Sequence, residues 1–326
     1  MIGSTLKSWH LRATLLVSIA SLAACSMSGS RPSAATSLPS QSPTAGLSAS
    51  PGPSATVGSA APTAEPVPGT IALKAYFLLF GNIDGPTPLV PVNRDVGETV
   101  AVARAAMEEL LAGPTDDEGA HDLRVGTIGT QIPEGTRLLG VDIEGGVATV
   151  DLSREFASGD IDNDERESWA IRLAQVTYTL TQFPTVESVR FLVEGRPAAT
   201  IEGHEGSPID LATRGAYADQ RPGIFVDEPA WGGALADPLT VSGLAQISGE
   251  PPEFHAALVS RTTDEIVVQQ TVRATCPTGC WQPPGGGPFR FQLSVPDGAQ
   301  VDDLMLRVWE IMDGKEVGMV QYPLRG

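Results

Sequence analysis

Apolar positions change their spacing along the chain, and each change marks a different kind of structure. Residues 13 to 24 are a largely apolar run (ATLLVSIASLAA), residues 26 to 69 have almost no large apolar side chains, and periodic patterns begin near Thr70. Ile71–Phe80 (IALKAYFLLF) and Leu89–Val92 read as strands, and Glu98–Ala112 reads as a helix with Val100, Ala103, Met107, Leu110 and Leu111 on one face. Gly113-Pro114 stops that helix. Thr136–Ile143 and Val147–Leu152 flank Glu144-Gly145-Gly146, a hairpin signal. A second helix carries Trp169, Leu173, Val176, Leu180 and Phe183 at core-facing spacing, Pro184 ends it, and Val186–Val193 returns to a strand. The order β-β-α-β-β-α-β predicts an α+β domain over 70–202, with two helices on a sheet.

Beyond a Gly- and Pro-containing linker over 203–223 the helix pattern disappears. Strand-like runs follow at Ile224–Val226, Leu239–Ile247, Phe254–Ser260, Glu265–Arg273, Phe289–Val295, Leu304–Met312 and Glu316–Tyr322. Short strands at this density predict an all-β sandwich over 224–326. Its clearest alternation puts Phe289, Phe291, Leu293 and Val295 inside and Arg290, Gln292 and Ser294 outside, and Asp313-Gly314 supplies a hairpin turn.

The N-terminal run changes the setting of these domains. Lys7 and Arg12, without an acid, precede about 12 apolar residues, too few for a span of roughly 20. This is the layout of a signal peptide over 1–24. Leu22-Ala23-Ala24-Cys25 looks like a bacterial lipobox, which implies cleavage before Cys25 and acylation of its thiol; the alternative is an ordinary signal peptide with a chance cysteine. Several acyl chains hold a protein on a bilayer where one binds marginally. The expected location is the outer face of a bacterial cytoplasmic membrane, with the membrane as a partner through the N-terminal lipid.

Residues 25–69 then read as the lipidated cysteine and a tether, since Ser26–Gly69 contains only Arg31 and Glu65 as charges and cannot bury enough apolar surface to order itself. Such a flexible segment reaches roughly 35 to 40 Å. A glycosylated stalk shares this composition. Removal of the signal lowers Lys plus Arg from 21 to 19 against 39 Asp plus Glu, a formal net charge of −20. A surface this acidic, with no basic stripe, excludes nucleic acid as a partner.

Several segments together resemble the GerMN domain. They are Tyr76-Phe77, Leu89-Val-Pro-Val92, Leu110-Leu-Ala-Gly-Pro-Thr115, Ile132-Pro-Glu-Gly-Thr136, Gly146-Val-Ala-Thr-Val-Asp-Leu-Ser-Arg-Glu-Phe156 and Leu180-Thr-Gln-Phe-Pro-Thr-Val186, in that order. Val241-Ser-Gly-Leu-Ala245, Gly287-Pro-Phe289, Leu306-Arg-Val-Trp309 and Asp313-Gly314 look like the immunoglobulin-like domain that accompanies such modules in spore-germination-type proteins. The resemblance implies an extracytoplasmic lipoprotein of the bacterial envelope, linked in some members to sporulation or germination and in others to sensor kinases. It carries over no catalytic residue.

Candidate chemistry is sparse. G-x-S-x-G, H-E-x-x-H and the phosphate-binding G-x-x-x-x-G-K-[ST] are all missing, and His10, His121, His204 and His255 are scattered. Asp160, Asp162 and Asp164 have a calcium-like spacing, but an EF-hand loop needs Gly and Glu where Glu165 and Ile171 stand. A helix cap by Asp164, with Glu165 and Glu167 in the first turn, accounts for the same acids. Asp142 and Asp151 flank the hairpin and could pair as glycosidase carboxylates, or Asp151 could bind a neighbouring turn or Ser153.

No metal and no cofactor is expected. The favoured function is a non-enzymatic binding or scaffold ectodomain contacting an envelope polymer or protein; a cell-wall-active enzyme and a solute-binding lipoprotein are the alternatives. With Cys25 acylated, Cys276 and Cys280 remain as a pair, which export would oxidise. The expected disulfide pins a turn between strands and contributes about 2 kcal/mol in the chain-entropy model.

Overall fold

Alternation and turn chemistry translate directly into the first strands of the computed structural model, which describes residues 69–81, 87–119, 125–158, 165–198, 210–247, 253–275 and 287–326. Strand β1 (Thr70–Phe80) pairs antiparallel with β2 (Leu89–Gly97), Tyr76 opposite Pro91 and Lys74 opposite Asn93. Helix α1 (Val102–Ala112) and the single turn α2 (Asp116–Gly119) follow, then β3 (Thr127–Gly129), which pairs with the end of β1. The first sheet therefore has the order β2-β1-β3.

Helix α1 begins later than the periodicity predicts. Thr99 accepts a hydrogen bond from the Ala101 N–H through its hydroxyl, at 3.1 Å, which gives the backbone a local alternative to helix. Val100, expected on the core face, is fully exposed, and Ala103, Ala106, Met107 and Leu110 form the buried face.

The hairpin of β4 (Leu138–Glu144) and β5 (Val147–Leu152) turns through Gly145 and Gly146, both at positive φ, 56° and 83°. A two-residue turn of this hand matches the twist of its strands, and glycine adopts it without steric cost. A 3-10 turn (Arg154–Ala157) leads towards helix α3 (Glu165–Leu180), then β6 (Ser188–Val193) and β7 (Arg196–Pro197). The second sheet has the order β4-β5-β6-β7, with β5 and β6 parallel.

The stripe expected on α3 is present: Trp169, Leu173, Val176 and Leu180 are buried, and Phe183 packs against the core from the turn beyond. The opposite face is buried too. Gln175, Thr177, Tyr178 and Thr179 have no exposure, because α3 lies along the open edge of β1. There the Gln182 amide accepts from Lys74 N–H at 2.9 Å and donates to Lys74 C=O at 2.6 Å. Thr179 Oγ1 accepts from Tyr76 N–H at 3.1 Å, and Gln175 Nε2 donates to Tyr76 C=O at 3.0 Å. Side-chain groups thus satisfy backbone that a fourth strand would otherwise pair, which removes the cost of burying it unpaired.

The described residues of the C-terminal module are mainly strand, with one 3-10 turn (Val301–Asp303): β8 (Ile224–Glu228), β9 (Gly233–Ala234), β10 (Leu239–Ala245), β11 (Glu253–Ser260), β12 (Ile266–Arg273), β13 (Gly287–Leu293), β14 (Leu304–Met312) and β15 (Lys315–Arg325). They form two sheets, β13-β10-β8 and β12-β11-β14-β15-β9. Phe254 of β11 meets Phe289 and Phe291 of β13 at ring separations of 4.9 and 6.3 Å, which places the two sheets face to face. Phe289 and Leu293 are buried while Arg290 and Gln292 are exposed, as the alternation predicts.

Candidate functional site

The densest polar cluster forms where the two modules meet. Strand β1 contributes Lys74 and Tyr76, helix α3 contributes Tyr178 and the turn beyond it Thr181, the 3-10 segment Arg214–Gln220 contributes Arg214, and β8 contributes Asp227 and Glu228. Strand alternation explains the first pair, since Lys74 and Tyr76 share one face of β1.

The Tyr76 hydroxyl donates to Asp227 Oδ1 at 2.5 Å and accepts from Arg214 Nη2 at 3.0 Å. Asp227 Oδ2 accepts from Lys74 Nζ at 3.2 Å, which also donates to Glu228 Oε1 at 2.8 Å. The Arg214 guanidinium lies 5.2 and 4.9 Å from the ring centres of Tyr76 and Tyr178, in cation–π range. Its remaining donors reach Thr181 Oγ1 at 2.9 Å and the Tyr178 carbonyl at 3.2 Å. Phe225 completes the apolar wall against both tyrosines.

Electrostatics close the cluster. Burial pushes the Tyr76 phenol well above its usual range, with Arg214 opposing, so it stays protonated and neutral. Burial would also raise the Asp227 carboxyl, but Lys74 and Arg214 outweigh it and hold the group below the ordinary value. Lys74 and Arg214 balance Asp227 and Glu228. Tyr76 has both its hydroxyl roles filled. Neither Lys74 nor Arg214 stands in any recognised motif. The one signal in the sequence is Lys74 itself, a rare lysine among apolar neighbours.

None of the described residues expected to carry chemistry belongs to this cluster. Cys25, the pair Cys276 and Cys280, Asp160, Asp162, Asp164, His10, His121 and His204 fall outside the described residues. His255 sits on β11 with its ring stacked 5.4 Å from Trp309 and beside Gln269 and Thr271. Register pairs Asp142 with Thr149 and Asp151 with Gly140, so the two carboxylates are diagonal neighbours on one face of the hairpin. Asp151 Oδ1 accepts from the Gly195 N–H at 3.0 Å, a contact with a neighbouring turn, one of its three expected roles. Among the described residues, no group of three or more His, Cys, Asp or Glu side chains is placed to hold a metal ion.

The recurring segments of the N-terminal module have structural tasks. In the Gly-Pro-Thr segment, Thr115 and Glu118 cap α2 reciprocally, at 2.9 and 3.4 Å. Glu118 also grips the buried Arg94 at 2.6 and 2.7 Å. Thr136 closes the Pro133–Thr136 turn, and the next residue, Arg137, bonds Ser153 through both its backbone groups.

A family model for Germane, described as sporulation and spore germination, matches residues 74–199. No curated protein matches the chain. Among solved structures, the tandem GerMN domains of the sporulation protein GerM from Bacillus subtilis are 22% identical over 41% of this chain, with a TM-score of 0.31. This chain covers 42% of that structure's length. The first GerMN domain of the same protein is 24% identical over 41% of this chain and 90% of its own, also at 0.31. A Clostridium perfringens protein assigned as a lipoprotein is 21% identical over 41% of this chain and 82% of its own, with a TM-score of 0.25. Residues 74–199 of this chain are a Germane domain, of the family of sporulation and spore-germination modules.

Proposed function

We propose that the chain is the lipid-anchored ectodomain of a bacterial envelope lipoprotein, acting as a binding or scaffold protein and not as an enzyme. The observation that carries this reading is the closed character of the polar cluster between β1, α3 and β8: Tyr76, Arg214 and Asp227 satisfy one another and leave no free acid, base or nucleophile within it. In this reading Cys25 bears the lipid and Ser26–Gly69 is the tether. Strands β8 to β15 form an immunoglobulin-like sandwich, and a Cys276–Cys280 disulfide staples one of its loops. Among the described residues no helix is long and apolar enough to cross a membrane; in this reading the attachment is the acyl group on Cys25.

Two measurements test the reading. Expression in a bacterial host with an alkyne fatty acid should label the wild-type chain and leave Cys25→Ser unlabelled; labelling of both would remove the anchor. Incubation of the purified ectodomain with peptidoglycan should release no soluble fragments. Release that is lost in Asp142→Asn would establish the cell-wall enzyme instead.

A further inference from the structure

We propose that the contact between the Germane domain and the C-terminal module is a permanent joint, which fixes their mutual orientation and fills, within the chain, a face that would otherwise be open to other strands. The proposal stands independently of the lipoprotein reading.

Backbone pairing provides the first attachment. The outer edge of β2 would present unpaired N–H and C=O groups, a template for any extended segment. Trp231 occupies it: its carbonyl accepts from Asn93 N–H and its N–H donates to the Pro91 carbonyl, both at 2.8 Å. The bridge is parallel and centred on Val92. At the edge of β6, Ala212 exchanges two 2.8 Å hydrogen bonds with Val189.

Between these points the chain crosses the module boundary at Arg214, Phe225 and Asp227. Phe225 is 1% exposed and stacks on Tyr76, so separating the modules would bring two buried aromatic faces into water. A third attachment, Arg325 to Asp95 at 2.9 Å, ties the end of β15 to β2. Gly232 N–H donates to the Pro323 carbonyl and Leu235 N–H to the Arg325 carbonyl, which couples the Trp231 segment to the same strand.

A hinge turns about one flexible connection. Here the segment from Asp210 to Trp231 is attached to the Germane domain at both ends and in the middle, and Ala212, Tyr217 and Ala218 within it are buried. Rotation would have to break backbone, ionic and aromatic contacts together.

Amide exchange on the intact ectodomain tests the backbone pairing. The amides of Asn93 and Trp231 are expected to exchange as slowly as that of Leu306 in the centre of β14; exchange at the rate of free peptide would overturn the proposal. The second test inserts a protease recognition sequence between residues 203 and 208 and cleaves the folded chain. The two pieces should still elute as one particle at micromolar concentration, and separation would overturn the joint. Arg214→Met should weaken the cleaved pair at least tenfold, as should Tyr76→Phe, which keeps the ring and serves if the first variant folds poorly. Unchanged affinity in both would overturn the role given to the polar cluster.

Discussion

The Tyr76 hydroxyl donates a 2.5 Å hydrogen bond to Asp227, 151 residues further along the chain. It joins β1, the first strand of the Germane domain, to β8, the first strand of the C-terminal module. Replacing Tyr76 by Phe removes the bond and leaves Asp227 Oδ1 and one Arg214 donor without their shared partner. Losing a buried hydrogen bond to a charged group costs about 2 kcal/mol. Urea unfolding should show this loss with an unchanged slope; a change below about 0.5 kcal/mol would mean that water takes over the role.

Acid should loosen the fold in a defined direction. Asp227 is held low against burial by Lys74 and Arg214, Asp303 by hydrogen bonds from Ser260 and Thr262, and Glu155 by a Ser153 bond that brings it down to about 2. A carboxyl depressed in the folded state binds fewer protons there than in the unfolded chain, so its contribution is complete above the unfolded value near 4 and is lost as pH falls through the folded value. Melting temperature should therefore be flat around neutrality and fall steadily below about pH 4. Asp227→Asn should reduce the steepness of that fall.

Arg94 and Glu118 form a buried two-pronged pair, with side-chain exposures of 8% and 16%. Arg94 also lies 5.2 Å from the ring centre of Phe77. Removing Arg94 strands the Glu118 carboxylate, at a cost of about 3 kcal/mol. Arg94→Met should destabilise by that order, and Glu118→Met by less, because Glu109 Oε2 stays 3.5 Å from Arg94 Nε. Arg94→Met combined with Glu118→Met should cost less than the sum of the two single changes, because the Glu118 carboxylate is then no longer left without its guanidinium. Strict additivity in chemical denaturation would show that the pair does not interact.

Gly243 sits at the bulge where β10 passes β8. A Cβ there would stand 1.9 Å from the Phe225 carbonyl oxygen and 2.8 Å from the Phe289 ring. Gly243→Ala must push β8 outward and with it the Phe225 ring that packs on Tyr76 and Tyr178. A destabilisation of about 3 kcal/mol is expected, at the high end for overpacking. A melting curve indistinguishable from wild type would show that the bulge yields freely.

Local pattern made much of the fold legible. The Gly145-Gly146 turn, the stripe on α3 from Trp169 to Leu180 and the alternation from Phe289 to Leu293 are short-range signals, and the segments that resemble GerMN lie in the domain that the family model matches. One local reading missed. Val100 was assigned to the apolar face of a helix that starts beyond it, because a Thr99 side-chain bond competes with the first turn. The second face of α3 carries no such local signal: Gln175, Thr179 and Gln182 find their role only when the open edge of β1 is set against them.

Apart from short elements such as α2, β3, β7 and β9, the sequence by itself determined the main strands and helices, the glycine turn between β4 and β5 and the contrast between a mixed N-terminal part and a strand-rich C-terminal one. Those features depend on side-chain period and on glycine and proline geometry, which act over a few residues. Only the tertiary structure decided that Lys74, Tyr76, Arg214 and Asp227 belong to one cluster and that Trp231 completes the edge of β2. Such contacts join positions more than a hundred residues apart, and no local period records them. They exist because buried backbone and buried charge must find partners, and the partners become available only when the two modules are packed together.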